Sequence, residues 1–292
     1  MIVDFHAHVY PDWIQNQKEK YLEKDLTFRD LFSDPKAKMA DVDQLIQDMD
    51  KDGVNISVIM GIGWTDTGLA RDMNDYIIAS VAKYPDRLVG FAGVNPSWGD
   101  AAVREADRCA KAGLQGLGEL HPDTQNFDIG DLKVMSPLAE VVQDQNLIIS
   151  THSSEPVGHS YKGKGKISPF FLWEFIKNFP EIPIICAHWG GGLPFYALMP
   201  EVLESLNSVY FDTSASPFLY SNRIYPVVAS LVGIGGILMG SDYPLLSARR
   251  VLKDIEDSTV LNEDQKIAIT GGNAVKLLGI NAGNAGGNQI IS

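Results

Sequence analysis

The sequence has few cysteines, and this shortage excludes a small disulfide-bonded scaffold. Cys109 and Cys186 are its two cysteines among 292 residues. Cys109 falls within a helical pattern and Cys186 within an apolar strand pattern, so we expect two buried thiols rather than a disulfide. This cysteine usage is typical of a protein in the reducing cytoplasm.

Basic residues are also in short supply. The chain has 24 Lys and Arg against 37 Asp and Glu, which gives a net charge of -13. Because no Lys- or Arg-rich run interrupts this acidic excess, the chain would repel a phosphate backbone rather than neutralise it. We therefore exclude nucleic acid as a partner and expect a small-molecule substrate. A homo-oligomer is compatible with this composition.

Long uninterrupted apolar segments are absent as well. Residues 224–241 carry no charge, but Pro226, Gly233, Gly235 and Gly236 break the segment into a buried helix, a turn and a strand. The N-terminus shows no basic segment followed by an apolar one, so we expect no secretory signal. These features predict a cytoplasmic protein that does not bind membranes.

The chain does contain a regular alternation of short apolar runs and amphipathic helical patterns. Such alternation is typical of consecutive βα units around a parallel sheet. The predicted strands are residues 2–5, 56–60, 88–93, 117–120, 147–151, 182–187, 209–213 and 237–240. The sequence therefore predicts an α/β fold, a single-domain (β/α)8 TIM barrel over residues 1–279.

Two segments do not follow this alternation. Residues 9–40 are rich in charged and aromatic side chains and predict a lid-like insertion after the first strand. Residues 280–292 are rich in Gly and Asn, and we expect a disordered tail there.

Helix ends carry signals of their own. Asp41 and Gly53 predict the first and last boundaries of one helix, because Asp caps N-termini and Gly follows C-termini. The pairs at residues 136–137 and 168–169 are both Ser-Pro and predict two further helix starts.

Five polar residues fall where predicted strands end. His6 and His8 have one residue between them, so both imidazoles project to the same side of the chain. His152 follows strand five, His188 ends strand six and Asp242 follows strand eight. Barrel enzymes place their sites at this end of the strands. Imidazole and carboxylate ligands suit Zn²⁺ above all, and also Mn²⁺ or Fe²⁺, so we predict a divalent metal centre of one or two ions.

Each of these residues also has a purely structural interpretation. Asp242 suits a turn before Pro244, His188 a hydrogen-bonded core position, and His152 a contact with loop backbone. Their joint placement at strand ends favours the metal centre over these separate explanations.

Strand four contributes two more candidates. Glu119 ends this strand and either bridges two ions or orients a ligand; the alternative is a salt-bridged barrel residue. His121 follows two residues later and is a candidate for substrate contact.

The loop after strand five concentrates hydrogen-bond donors, and we predict that it recognises a carboxylate on the substrate. A solvated, mobile loop is the alternative interpretation. The candidate substrate-binding residues there and beside His188 are Glu155, His159, Tyr161, Lys164 and Trp189, with Lys162 and Lys166 as further cations of the loop.

Four segments resemble the amidohydrolase superfamily: residues 4–8 (DFHAH), 151–152 (TH), 187–192 (AHWGGG) and 240–244 (GSDYP). They occur in the order that the superfamily requires and are most similar to its amidohydrolase-2 branch. That branch contains metal-dependent decarboxylases, such as aminocarboxymuconate-semialdehyde decarboxylase and γ-resorcylate decarboxylase, together with hydrolases and lactonases. The resemblance thus implies the superfamily more specifically than it implies the reaction.

The resemblance also implies roles for the candidate residues. His6, His8, His152 and Asp242 would hold the metal, and His188 would be a catalytic histidine or a ligand of a second ion. Binuclear members use a carboxylated lysine or a glutamate on strand four. Glu119 occupies that position, and the strand has no lysine.

Hydrolysis is the reaction that we expect first. Metal-activated water would attack a carbonyl, Asp242 would accept the proton of that water, and His188 would stabilise the oxyanion. The alternative is nonoxidative decarboxylation of an aromatic or enoic acid, with Asp242 or His188 protonating the carbon that loses CO₂. A non-catalytic metal-binding barrel is the third possibility, although all five strand-end positions hold competent groups.

Overall fold

Eight short apolar strands form one parallel sheet in the order of the chain. The computed structural model describes residues 1–280, and the predicted tail lies outside the described residues except for its first residue. The strands are β1 (Val3–Ala7), β2 (Ile56–Ile59), β3 (Leu88–Ala92), β4 (Gly116–Leu120), β5 (Ile148–Thr151), β6 (Ile184–Cys186), β7 (Val209–Asp212) and β8 (Ile237–Leu238).

Backbone contacts between β1 and the segment after β8 bring the two ends of the sheet together. The amide of Phe5 donates to the carbonyl of Met239 at 2.7 Å, and the amide of Asp242 donates to the carbonyl of His6 at 2.9 Å. These bonds confirm the predicted (β/α)8 barrel and already place Asp242 beside His6.

A helix follows every strand on the outside of the barrel. In chain order these helices are Val42–Asp52, Thr67–Lys83, Asp100–Lys111, Leu132–Asp144, Pro169–Asn178, Pro200–Ser205, Ile224–Val232 and Ala248–Glu256. Short helical segments lie between them at Pro96–Trp98, Pro122–Gln125, Ala187–Gly190, Leu193–Leu198, Ser216–Leu219 and Ile234–Gly236. Three more follow the last of these helices, at Glu263–Ile267, Ala268–Gly272 and Asn273–Leu277. No helix of residues 1–280 is long and apolar enough to cross a membrane.

Most predicted helix ends agree with the structure. Asp41 accepts a hydrogen bond from the amide of Gln44 at 2.7 Å, and Gly53 ends that helix with a φ of 75°. The start predicted at residues 136–137 is wrong, because Pro137 lies inside Leu132–Asp144. Asp131 caps that helix instead, since its side chain accepts from an amide of the first turn.

The first strand runs two residues further than predicted, so His6 lies within β1 rather than after it. The strand β1 extends further because its backbone continues to form hydrogen bonds with the neighbouring segments on both sides. The carbonyl of His6 accepts from Asp242, and that of Ala7 accepts from the amide of Met60 at 3.0 Å. His8 comes directly after the strand.

Apolar side chains fill the amino-terminal half of the barrel interior. Phe5 and Phe91 meet edge to face there, with ring centroids 5.9 Å apart, and the helix Asn273–Leu277 packs beneath them. Both Cys109 and Cys186 are buried and free, as predicted. The polar strand ends therefore collect at the opposite, carboxyl-terminal mouth.

The insertion at residues 9–40 folds into three short helices, Asp12–Gln15, Lys18–Lys24 and Leu26–Phe32. Its aromatic side chains form an apolar cluster with the loop after β2, in which Phe28 stacks on Trp64 at 6.1 Å.

Asp25 anchors this insertion to the barrel through hydrogen bonds. It is 1% exposed, and its carboxylate accepts from the amides of Phe28 at 2.9 Å, Thr65 at 2.7 Å and Asp66 at 3.0 Å. Without the carboxylate, these amide donors would lose their hydrogen-bond acceptor.

We expect Asp25→Ala to lower the free energy of unfolding by roughly 1–3 kcal/mol, because buried donors lose their acceptor. Urea denaturation monitored by circular dichroism measures the change. Asp30→Ala, at an exposed position of the helix Leu26–Phe32, is the matched control and should change stability by no more than about 0.5 kcal/mol. Equal stability of both variants would contradict the anchoring role of Asp25.

Candidate metal centre and active site

The five strand-end residues converge at the carboxyl-terminal mouth. The Nε2 atoms of His6 and His8 are 3.1 Å apart. Oδ1 of Asp242 lies 3.5 Å from Nε2 of His8 and 3.8 Å from Nε2 of His6. His6 is fully buried and His8 is 6% exposed, so these donor atoms face one another with little access to water.

The outer nitrogens of both rings are held by acceptors. Nδ1 of His6 lies 2.8 Å from Oδ2 of Asp212, and Nδ1 of His8 lies 3.2 Å from the carbonyl oxygen of Met60. Because these oxygens only accept, each Nδ1 carries a hydrogen and, in the neutral rings, both Nε2 lone pairs point inward. Two lone pairs at this distance repel each other unless a proton or metal ion lies between them.

Glu119 occupies the middle of the cluster. Its Oε2 lies 3.6 Å from Nε2 of His6 and 3.8 Å from Nε2 of His8. Its Oε1 lies 3.1 Å from Nδ1 of His152 and 3.5 Å from Nε2 of His188. One carboxylate thus contacts four imidazoles. This arrangement is compatible with both interpretations given to Glu119 above, since Glu119 is ion-paired and also faces the four candidate histidine ligands.

Opposing effects act on the pKa values of this cluster. Burial lowers the pKa of His6, but the charges of Asp212 and Glu119 raise it well above its usual value. Burial raises the pKa of Glu119, but the charge of His6 and the hydrogen bond from His152 hold it well below its usual value. The carboxylates of Asp212 and Glu119 therefore stabilise positive charge at His6.

The residues fit a bound divalent cation. His6, His8 and Glu119 each offer one ligand atom, and these atoms lie within 4.8 Å of one another; Glu119, His152 and His188 do the same. The ring nitrogens and carboxylate oxygens are donors that divalent transition metals accept, and the surrounding negative charge compensates the ion.

His188 and Asp242 both adopt left-handed backbone conformations, with φ of 54° and 66°. This conformation is uncommon for residues with a side chain and persists where the surrounding structure enforces it. Nδ1 of His188 lies 3.2 Å from the carbonyl oxygen of Ser214, so its Nε2 is directed toward Glu119 and the mouth.

Asp212 belongs to the cluster although it was not among the predicted site residues. This residue ends β7, is fully buried and contacts both His6 and the backbone of His188. The signal that identified Asp242, a carboxylate at the end of an apolar strand, was present here as well.

A cavity of about 550 Å³ opens above the cluster. Its floor includes His8, Glu119, His152, His188 and Asp242. Its walls come from the insertion, the loop after β5 and the segment after β7, and they include Tyr10, Phe32, Lys36, Lys38, Lys162 and Phe218. The cavity thus combines apolar and aromatic surface with cationic side chains.

Three predicted substrate-binding residues line this cavity, namely His121, His159 and Tyr161. The ring of His121 stacks on that of His152, with centroids 4.2 Å apart. Burial, and then the charge of His152, lower the pKa of His121 to about 3. Its buried Nδ1 has no hydrogen-bond partner among the described residues.

Three other predicted substrate-binding residues do not line the cavity. Lys164 donates through Nζ to the carbonyls of Val157 and His159 at 2.9 Å and 3.0 Å, so it stabilises its own loop. Glu155 accepts from the hydroxyl of Tyr161 at 3.2 Å. Trp189 is fully buried, and its ring packs against the core because the chain turns sharply after β6.

Comparison with known proteins is consistent with this geometry. The chain is 23% identical to 2-amino-3-carboxymuconate-6-semialdehyde decarboxylase of Dictyostelium discoideum, over 95% of this chain and 91% of that protein. The similarity covers nearly the full length of both chains.

Solved structures share the fold. The 5-carboxyvanillate decarboxylase LigW from Sphingomonas paucimobilis superposes with a TM-score of 0.79 at 19% identity, covering 96% of this chain and 99% of that one. A dihydroxybenzoic acid decarboxylase from Polaromonas sp. JS666, with bound manganese and the inhibitor 2-nitroresorcinol, gives a TM-score of 0.74 at 19% identity. The latter match covers 97% of this chain and 98% of the other.

The family profile extends across the same barrel. The match to the family described as amidohydrolase runs over residues 3–280, from the first residue of β1 to the last described residue. It therefore includes every strand-end residue of the buried cluster. The resemblance inferred from the four sequence segments is confirmed: this chain belongs to the amidohydrolase family.

Proposed function

We propose that the protein is a metal-dependent decarboxylase that releases CO₂ from a small aromatic or enoic acid. The observation that carries the proposal is the buried cluster of histidines and carboxylates at the floor of a cavity with aromatic walls. The named relatives are decarboxylases, so they support our alternative better than the hydrolysis that we expected first.

We assign the metal to His6, His8, His152 and Asp242, as the family resemblance implies. When bound, the ion would supply a Lewis acid that neutralises negative charge on the substrate. Imidazole and carboxylate ligands are compatible with Zn²⁺ and with Mn²⁺, and manganese is bound in the Polaromonas enzyme. Our preference for zinc remains a prediction.

The reaction would take place at the substrate carbon atom that carries the carboxylate. The bond to the carboxylate breaks, its electron pair stays on the carbon, and CO₂ leaves. A proton must replace the carboxylate on that carbon. Asp242 and His188 both line the cavity floor, so these two groups are positioned to deliver it. Tyr10, Phe32 and Phe218 would exclude water and pack against the flat part of the substrate.

Isotope labelling of the product separates decarboxylation from hydrolysis. We expect turnover of an acid such as 2,6-dihydroxybenzoate or 5-carboxyvanillate in ²H₂O to give equimolar CO₂ and one deuterium on the carbon that lost it. Mass spectrometry measures both. Hydrolysis of an amide or lactone would instead incorporate ¹⁸O from H₂¹⁸O into the organic product without CO₂ release. Such turnover, with no CO₂ release from the acids, would contradict the proposal.

Lys162 is the lysine of the loop after β5 that lines the cavity. Its Nζ donates to Oγ of Ser33 at 2.9 Å, which links this loop to the insertion. A cation at this position can form a charge-assisted hydrogen bond with an acidic group of the substrate. Asp34 also lines the cavity.

We expect Lys162→Ala to raise KM for the anionic substrate several-fold with a smaller effect on kcat, because ground-state binding is lost. Steady-state kinetics measures both constants. Lys164→Ala is the matched control from the same loop and should raise KM less, because its Nζ is bound to loop carbonyls. A larger KM increase in Lys164→Ala would reverse this assignment.

A further inference from the structure

We propose that Asp212 is a positioning residue that determines which ring nitrogen of His6 faces the metal and, through its other oxygen, fixes the backbone of His188. This inference rests on the metal-dependent function proposed above. Neither the sequence segments that indicated the family nor the predicted ligand set includes Asp212.

The two carboxylate oxygens of Asp212 have separate partners. Oδ2 lies 2.8 Å from Nδ1 of His6. Oδ1 accepts from the backbone amides of His188 and Ser214, each at 3.0 Å, and from the hydroxyl of Ser214. Asp212 and His6 are fully buried, so water does not replace these contacts. One side chain therefore links a candidate ligand on β1 to a catalytic candidate after β6.

An ionised carboxylate suits this position because it accepts at both oxygens, whereas an amide accepts at only one end. Each oxygen of Asp212 meets at least one hydrogen-bond donor, so a carboxylate that only accepts matches all of these contacts.

In the isosteric Asp212→Asn variant, we expect the amide oxygen to face the backbone amides of His188 and Ser214, because three donors lie on that side and one on the other. Its NH₂ group then meets the Nδ1 hydrogen of His6. His6 then relieves the donor–donor contact by moving its hydrogen to Nε2, the nitrogen that lies 3.1 Å from Nε2 of His8. That nitrogen no longer has a lone pair for a metal ion.

The experiment measures metal affinity, so it does not depend on whether the protein is a decarboxylase. Metal-free Asp212→Asn is titrated with Zn²⁺ in competition with a chromophoric chelator, and the visible absorption of the Co²⁺-loaded protein is recorded. We expect affinity to fall about 10- to 100-fold, with a changed Co²⁺ spectrum and an unchanged circular dichroism spectrum.

Ser214→Ala is the matched control. It removes the hydroxyl that contacts Asp212 and Nδ1 of His188, but it leaves the bond from Asp212 to His6. Metal affinity in this variant should remain close to that of the unmodified protein. Unchanged affinity in a folded Asp212→Asn protein, or equal losses in both variants, would overturn the proposal.

A second measurement covers the case in which Asp212→Asn does not fold. In the Zn²⁺-loaded unmodified protein, ¹⁵N NMR of labelled histidines should show His6 coordinated through Nε2, with a slowly exchanging hydrogen on Nδ1. Coordination of His6 through Nδ1 would refute the role of Asp212. Absence of CO₂ release would refute the proposed reaction but leave this result unaffected.

Discussion

The contact of Glu119 with four imidazoles is the interaction on which the mouth of the barrel depends. Its oxygens lie 3.1 to 3.8 Å from ring nitrogens of His6, His8, His152 and His188. A buried carboxylate without positive charge nearby would be strongly destabilising. Oxygen atoms of other segments fix the rings of His6, His8 and His188 in turn. A bound cation would complete this balance of charge.

The strand count and the position of the site were predictable because both depend on local patterns. Apolar runs predicted all eight strands, and the carboxyl ends of parallel strands must share one face. His6 was assigned to a loop because its strand is extended by pairing with β2 and with Asp242, and distant segments provide that pairing. Asp212 was not predicted because it lies outside the histidine motifs and the segments that resemble the family.

The directions of side chains in the loop after β5 were harder to predict. Lys162 and Lys164 alternate with glycines and have the same chemistry, so the sequence offers little reason to prefer one of them. Contact with Ser33 of the insertion directs Lys162, whereas carbonyls of the loop itself retain Lys164. Trp189 follows a ligand candidate, yet the left-handed turn at His188 and Trp189 sends its ring into the core. Tertiary contacts decide these directions.

The central claim is that a metal ion in this cluster is required for CO₂ release. Elemental analysis and CO₂ measurement on the same preparation, before and after removal of metal by a chelator, test it most directly. Our account predicts a divalent transition metal in the purified protein, loss of CO₂ release with the metal, and recovery when Mn²⁺ or Zn²⁺ is added. Undiminished CO₂ release from a preparation without detectable metal would contradict it.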